Sequence, residues 1–296
     1  MKTLITGSSG LVGNSLVESL FSKGYSIQCL KRTQDASSKH FWNTANLHTG
    51  SNDRFHSVIH LAGENVASGR WTKIRKSLIF NSRVEGTREL VDYISLLPVK
   101  PKIFLSASAV GFYGNRGDEL LDEDSSPGDG FLAEVCKKWE NETKPLSNMG
   151  IRVIHLRFGM ILSPNGGPLH KMIPPFTMKV GGVVGNGKQF ISWISIRDVA
   201  NIVDFLIKTD QISGPVNVVT PTPTTNKDLT KSLGRALNCP TLFKVPGFMA
   251  KLIFGQMADE MLLSSTRATP KVLLDGGYQF IDTSLDETLT YCINNS

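Results

Sequence analysis

Cysteine is scarce in this chain: four among 296 residues, at positions 29, 136, 239 and 292. No two are close enough for a C-x-x-C pair and none sits in a Cys/His cluster. Neither a disulfide framework nor a metal site is therefore expected. Long apolar runs are missing too, and nothing approaches the ~18 residues that a membrane span needs. The first residues carry one lysine and a short apolar stretch that ends at Gly7, too brief for a secretory leader. These absences predict a cytoplasmic chain with no membrane partner. There are no internal repeats and no low-complexity segments. Lys and Arg outnumber Asp and Glu by 32 to 26, a formal charge of +6. The basic residues are scattered and lack aromatic interleaving, which argues against a nucleic-acid partner. Their excess suits a small anionic ligand such as a nucleotide.

What is present is an alternation of short apolar runs and helical periods. "TLIT" (3–6) precedes a helix from about Leu11 to Ser22, and "SIQCL" (26–30) is the next strand. A polar stretch over 33–54 has no clear period and is expected to hold a short helix or loop. "SVIHLAG" (57–63) reads as a third strand, followed by a long helix over 72–97 with a candidate break near Asn81. "KIFLSAS" (102–108), a Gly-rich acidic loop, the helix "FLAEVCKKWENETKPL" and the strand "RVIHLRF" (152–158) complete the series. Strands separated by helices of this length predict right-handed βαβ units. The expected fold is α/β, a Rossmann-type doubly wound parallel sheet. Beyond residue 160 Pro and Gly become denser. We assign 1–160 to this main domain and 161–296 mainly to a smaller C-terminal lobe. Segments at about 190–220, including "VNVVT" (216–220), return to the main domain.

Gly7, Gly10 and Gly13, with Leu11 and Val12 between the last two, form G-x-x-G-x-x-G at a strand-to-helix turn. The first glycine permits the turn, the second lets backbone approach a pyrophosphate, and the third lets the helix pack on the sheet. Free N–H groups and the positive end of the helix dipole then face the phosphates. The second strand ends in "CLKRT": Lys31 and Arg32, with no acid until Asp35. An NAD site usually places a carboxylate there for the ribose 2′-hydroxyl, whereas a guanidinium pairs with a 2′-phosphate. NADP(H) is the expected cofactor.

"TGSSGLVG", "HLAGENV", "SRVEGTREL", "SASAVGFYGNRGDE", "GDGFLAEVCKKWE" and "FISWISIRDVA" follow one another in this order. Together they resemble the extended short-chain dehydrogenase/reductase superfamily. Within it they are most similar to the atypical branch of nucleoside-diphosphate-sugar epimerase-like "epimerase family" proteins, over nearly the whole chain. The resemblance implies a Rossmann domain, a small C-terminal lobe and a preference for NADP(H). It places Leu61, Ala62 and Gly63 along the adenosine end of the cofactor, Arg83 within reach of the cofactor, and Phe158 near the nicotinamide. For Arg83 a solvated helical role stays open, and for Phe158 a core role. It also implies the long helices over 72–97 and 130–147 as a homodimer surface.

A typical superfamily member uses a Tyr, a Lys four residues on, and a Ser or Thr that steadies the reacting oxygen. Ser108 matches the serine position, with Ser106 as the fallback, and for Ser108 a strand-end capping role stays open. Leu132 and Cys136 stand where the Tyr and Lys are expected, and none of the five tyrosines has Lys at the fourth following position. The standard proton-transfer pair is absent. Tyr113, in a Gly-flanked loop after Ser108, is one candidate substitute, with a phenol expected near its ordinary pKa of ~10; Glu64 and Lys137 or Lys138 are weaker ones. Glu64 and Trp193 are candidate substrate contacts, and for Trp193 a packing role stays open. Asp198 is expected to cap or pair near the start of the next helix, and Thr225 or Asn226 to cap a later one. Two functions remain. The first is an NADP(H)-dependent epimerase or oxidoreductase acting on a sugar nucleotide or carbonyl compound. The second is a catalytically silent NADP(H)-binding regulatory or scaffold protein.

Overall fold

A computed structural model describes residues 1–32, 42 and 54–296. The expected loop or helix over 33–54 falls almost wholly outside the described residues. Six parallel strands form the main sheet: β1 (Lys2–Thr6), β2 (Ser26–Leu30), β3 (Ser57–His60), β4 (Ile103–Ala109), β5 (Arg152–Phe158) and β6 (Gly214–Val218). Their spatial order is β6-β5-β4-β3-β1-β2. The chain runs outward from β1 to β2 and then restarts on the other side of β1 with β3. That reversal opens a crevice at the carboxyl ends of β1 and β3, the switch point where doubly wound sheets bind ligands.

The central strands are apolar because both faces are covered. Leu4, Ile5, Val58, Ile59, Phe104 and Leu105 are completely buried. On one face helix α1 (Leu11–Ser22) lies beside the helix Ile196–Lys208, so Leu16 and Leu20 share a core with Val199, Val203 and Leu206. On the other face α2 (Lys73–Leu96) contributes Leu90, Val91 and Ile94. Helix α2 begins where the Thr72 hydroxyl accepts from the Arg75 N–H at 3.1 Å. It continues unbroken past Asn81, whose exposed side chain donates to Ser77 on its own helix rather than competing for the backbone.

The helix predicted from "FLAEVCKKWENETKPL" divides into α3 (Phe131–Asn141) and a short helix Lys144–Asn148. Pro145 lacks an N–H and starts a new helix more readily than it continues an old one. The first N–H groups of α3 are satisfied from far along the chain: the Glu260 carboxylate accepts from Phe131 at 3.1 Å and Leu132 at 2.8 Å. A separate core of Leu162, Leu169, Phe176, Trp193, Leu229, Leu233 and Leu289 holds the C-terminal lobe together. Asp198 ties the tail to the main domain, accepting from the Tyr278 hydroxyl and from the Ile281 and Asp282 N–H groups. Thr225 caps the helix Asn226–Ala236.

Candidate functional site

The strand register lines up the candidate residues along one edge. Thr6 pairs with His60, His60 with Ser106, and Ala109 with Phe158. Gly7, the Leu61–Gly63 segment, Ser108 and Phe158 therefore stand in a row at the carboxyl ends of neighbouring strands. At the first position the glycines are sterically required. A Cβ on Gly7, whose φ is +70°, would meet the Ala62 nitrogen at 2.7 Å and the Leu61 carbonyl carbon at 2.8 Å. One on Gly13 would lie 2.2 Å from the Gly7 oxygen. Gly10, by contrast, has room for a Cβ beside its neighbours, 3.4 Å from the Gly7 oxygen. The turn is thus folded back on the end of β3, and the N-cap of α1, Gly10, has no side chain to cap the first N–H groups. This is a cradle suited to a diphosphate.

Behind the cradle, His60 is fully buried and bridges β1 and α2. Its Nδ1 lies 2.7 Å from the Thr6 hydroxyl and its Nε2 2.9 Å from that of Thr87. Burial pushes the imidazole pKa down to about 3, so the ring is neutral. Arg83 lies under the same strand end. Its guanidinium donates to the Glu64 carbonyl at 2.9 Å, packs against Gly63 and sits 5.1 Å over the Trp139 ring. Burial lowers the basicity of the guanidinium. Arg83 thus supports the backbone that lines the crevice and is not a solvated helical side chain.

Glu64, expected at the substrate, is placed between two arginines. Its carboxylate accepts from Arg75 at 3.0 Å, and its other oxygen is 3.8 Å from Arg32. Arg75 has no counterpart among the sequence candidates. It also donates to Ser68 at 2.9 Å, and its Nε is buried with no hydrogen-bond partner among the described residues. Two guanidiniums around one carboxylate leave a net positive charge at the end of β2, and Lys31 adds another.

At the far end of the row Ser108 donates to Glu140 Oε1 at 2.6 Å. Arg157 grips the same carboxylate bidentately, Nε to Oε1 at 3.0 Å and Nη2 to Oε2 at 2.9 Å. The guanidinium also lies 3.6 Å over the Phe112 ring and donates to the Tyr113 hydroxyl at 2.9 Å. Tyr113 in turn donates to Asn217 at 2.8 Å. Tyr113 is completely buried, and burial pushes its hydroxyl up to about 12 against the opposing pull of Arg157. The phenol expected in the cleft with an ordinary pKa is instead a member of a buried hydrogen-bond chain. Trp193 is likewise fully buried, with its indole N–H donating to the Thr222 carbonyl at 3.1 Å. It packs the lobe and offers no face to a substrate.

Leu132, where a tyrosine would stand, rests against Gly111. Cys136, where a lysine would stand, is buried beside Ser108 and Glu140 with its thiol pushed up to about 11, mainly by burial. An uncharged thiol cannot do the electrostatic work of an ammonium. Lys137 and Lys138 are exposed on the opposite side of α3. Phe158 is half-buried and packs against the main core. Glu140 and Arg157 were the residues to look for: a charged residue inside the apolar strand "RVIHLRF" needs a buried partner. A cavity of about 370 Å³ adjoins this end, lined by Gly111 and Leu132 from the main domain and by Lys251, Asp259, Glu260 and Thr266 from the lobe.

Fold and site together define a nucleotide-binding α/β protein of the extended short-chain dehydrogenase/reductase type, in its atypical, epimerase-like branch. The chain belongs to the NAD dependent epimerase/dehydratase family, which matches residues 3–219, and residues 245–292 match a domain of unknown function, DUF1731. An epimerase family protein of Mycobacterium tuberculosis is 38% identical over 290 residues, covering 97% of this chain and 96% of its own length. The epimerase family protein YfhF of Bacillus subtilis is 32% identical, covering 99% and 98%. Among solved structures, human epimerase family protein SDR39U1 with NADPH superposes with a TM-score of 0.91 at 27% identity, covering 100% of both chains. The nucleoside-diphosphate sugar epimerase of Corynebacterium glutamicum gives 0.77 at 34% identity, covering 99% of this chain and 58% of its own.

Proposed function

We propose that this chain binds NADP(H) in the Gly7–Gly13 cradle and uses it on a carbonyl compound or a sugar nucleotide, with the Ser108–Glu140 pair in place of the missing Tyr–Lys pair. The single observation that carries the chemistry is the 2.6 Å hydrogen bond from Ser108 to a carboxylate. The preference for the phosphorylated cofactor rests on Arg32 and Arg75 around Glu64, on the Arg75 Nε that has no partner among the described residues, and on the human relative solved with NADPH. Arg32 and Arg75 would hold the 2′-phosphate, and the N–H groups at the start of α1 the diphosphate.

The cofactor, when bound, supplies or accepts a hydride at a carbonyl or carbinol carbon. Ser108 Oγ takes the proton leaving the substrate hydroxyl and passes its own to Glu140 Oε1. In the reducing direction the proton travels back. Arg157 keeps the carboxylate in place and balances its charge before the proton arrives, so little reorganisation is needed. The test is a melting series with NADPH and NADH, followed by a panel of carbonyls and sugar nucleotides read by nicotinamide absorbance. A native-state ligand raises the midpoint by mass action, so NADPH should shift it more than NADH. Ser108→Ala and Glu140→Gln should each lower turnover by roughly a hundredfold or more, as loss of a positioned acid–base group does, while leaving that shift intact.

A second reading, an NADP(H)-binding protein without turnover, is favoured by Leu132 and by the buried, protonated Cys136. Silence across the panel with a full NADPH shift would establish it and discard the Ser108–Glu140 step.

A further inference from the structure

The helix Gly247–Phe254, "GFMAKLIF", leaves only Ala250 buried. Phe248 is 70% exposed, Leu252 74% and Ile253 55%, and Met249 is exposed beside them. The strand before it, Phe243–Val245, pairs in parallel with Gly182–Val184, which brings exposed Leu242 and Phe243 beside exposed Val180 and Met178. Two lobe segments thus join in one apolar surface. Monomeric proteins seldom leave so many large apolar side chains together in water.

Within the two segments that build this surface the charge has one sign, and the exposed Asp259 of the following turn stands at its edge. The chain has no Asp or Glu between Glu142 and Asp198, or between Asp228 and Asp259, and those are the two segments that build it. Lys179 and Lys244 are exposed within it, and Lys251 projects from the helix to pair with Asp259. A second copy of the chain would bring like charges face to face. An anionic lipid surface would take the aromatic and aliphatic side chains into its headgroup boundary and meet the lysines with phosphates and carboxylates.

We propose that the lobe docks on anionic membrane through Phe248, Leu252, Ile253 and Leu242, with Lys179 and Lys244 as its charged rim. This revises the expectation of no membrane partner, which rested on the lack of a spanning run. Interfacial attachment needs none.

The experiment is co-sedimentation of the whole protein with vesicles of phosphatidylcholine alone and with an equal admixture of phosphatidylserine. Binding is expected to the mixed vesicles only, and should weaken as salt shortens the screening length below ~10 Å. Phe248→Glu with Leu252→Glu should weaken it roughly tenfold or more, and Lys179→Glu with Lys244→Glu should do the same while leaving the apolar residues in place. Each variant's NADPH-induced melting shift reports that it is folded. Phe248→Trp should keep binding, with indole emission moving to the blue on mixed vesicles. The proposal is overturned if the vesicle fractions do not differ, if both double variants bind like the parent, or if light scattering finds a dimer that Phe248→Glu with Leu252→Glu dissociates.

Discussion

Lowering the pH from 7 to 5 should destabilise this protein through His60. The ring's folded-state pKa is about 3 against an ordinary 6.5, because burial among Trp42, Phe104 and Trp139 strips the imidazolium of water. The unfolded chain therefore takes up a proton near pH 6.5 that the folded one refuses, and stability falls as pH drops through that window. At ~1.4 kcal/mol per pH unit, the linkage at pH 5 amounts to about 2 kcal/mol, or about 4 °C in melting midpoint for a chain of this size. His155 and His56 are lowered as well and act with the same sign. The carboxylates held low by their partners, Asp204, Asp122 and Asp286, give up their contribution only at more acidic pH. The assay is a midpoint-against-pH series for the parent and for His60→Gln. The variant should start lower at pH 7, having lost the fit between Thr6 and Thr87, and then fall less steeply. Parallel slopes would refute the assignment of the window to His60.

Gly13→Ala places a methyl 2.2 Å from the Gly7 oxygen, backbone against backbone. It should cost about 2 kcal/mol by denaturant unfolding, as overpacking does, and abolish the NADPH shift. Gly10→Ala, with a 3.4 Å neighbour, should keep its stability and weaken only the cofactor. Arg32→Ala should weaken NADPH about tenfold, the equivalent of one charge-assisted hydrogen bond, and leave NADH unchanged in a fluorescence titration. Tyr113→Phe takes one hydrogen bond each from Arg157 Nη1 and Asn217 Oδ1 and should cost about 2 kcal/mol in unfolding, with kcat close to the parent's. A collapse of kcat there would return Tyr113 to the chemistry.

Much of the fold is written locally. Apolar runs that alternate with helical periods need two covered faces, and glycines at 7, 10 and 13 between a strand and a helix admit few backbones. The parallel sheet and the switch-point cradle were therefore legible in the chain alone, as was the fact that none of the five tyrosines has Lys at the fourth following position, since a spacing needs no coordinates. Which polar groups meet is a different matter, because it depends on separations that the chain order does not encode. Only the tertiary structure joins Ser108 to Glu140, 32 positions on, and Tyr113 to Asn217, 104 positions on. It also turned two residues inward. Tyr113 and Trp193 have polar tips and large apolar rings, so sequence cannot say whether they face a ligand or a core. Burial decided for the core, because each ring filled space between elements while its one polar atom found a partner there.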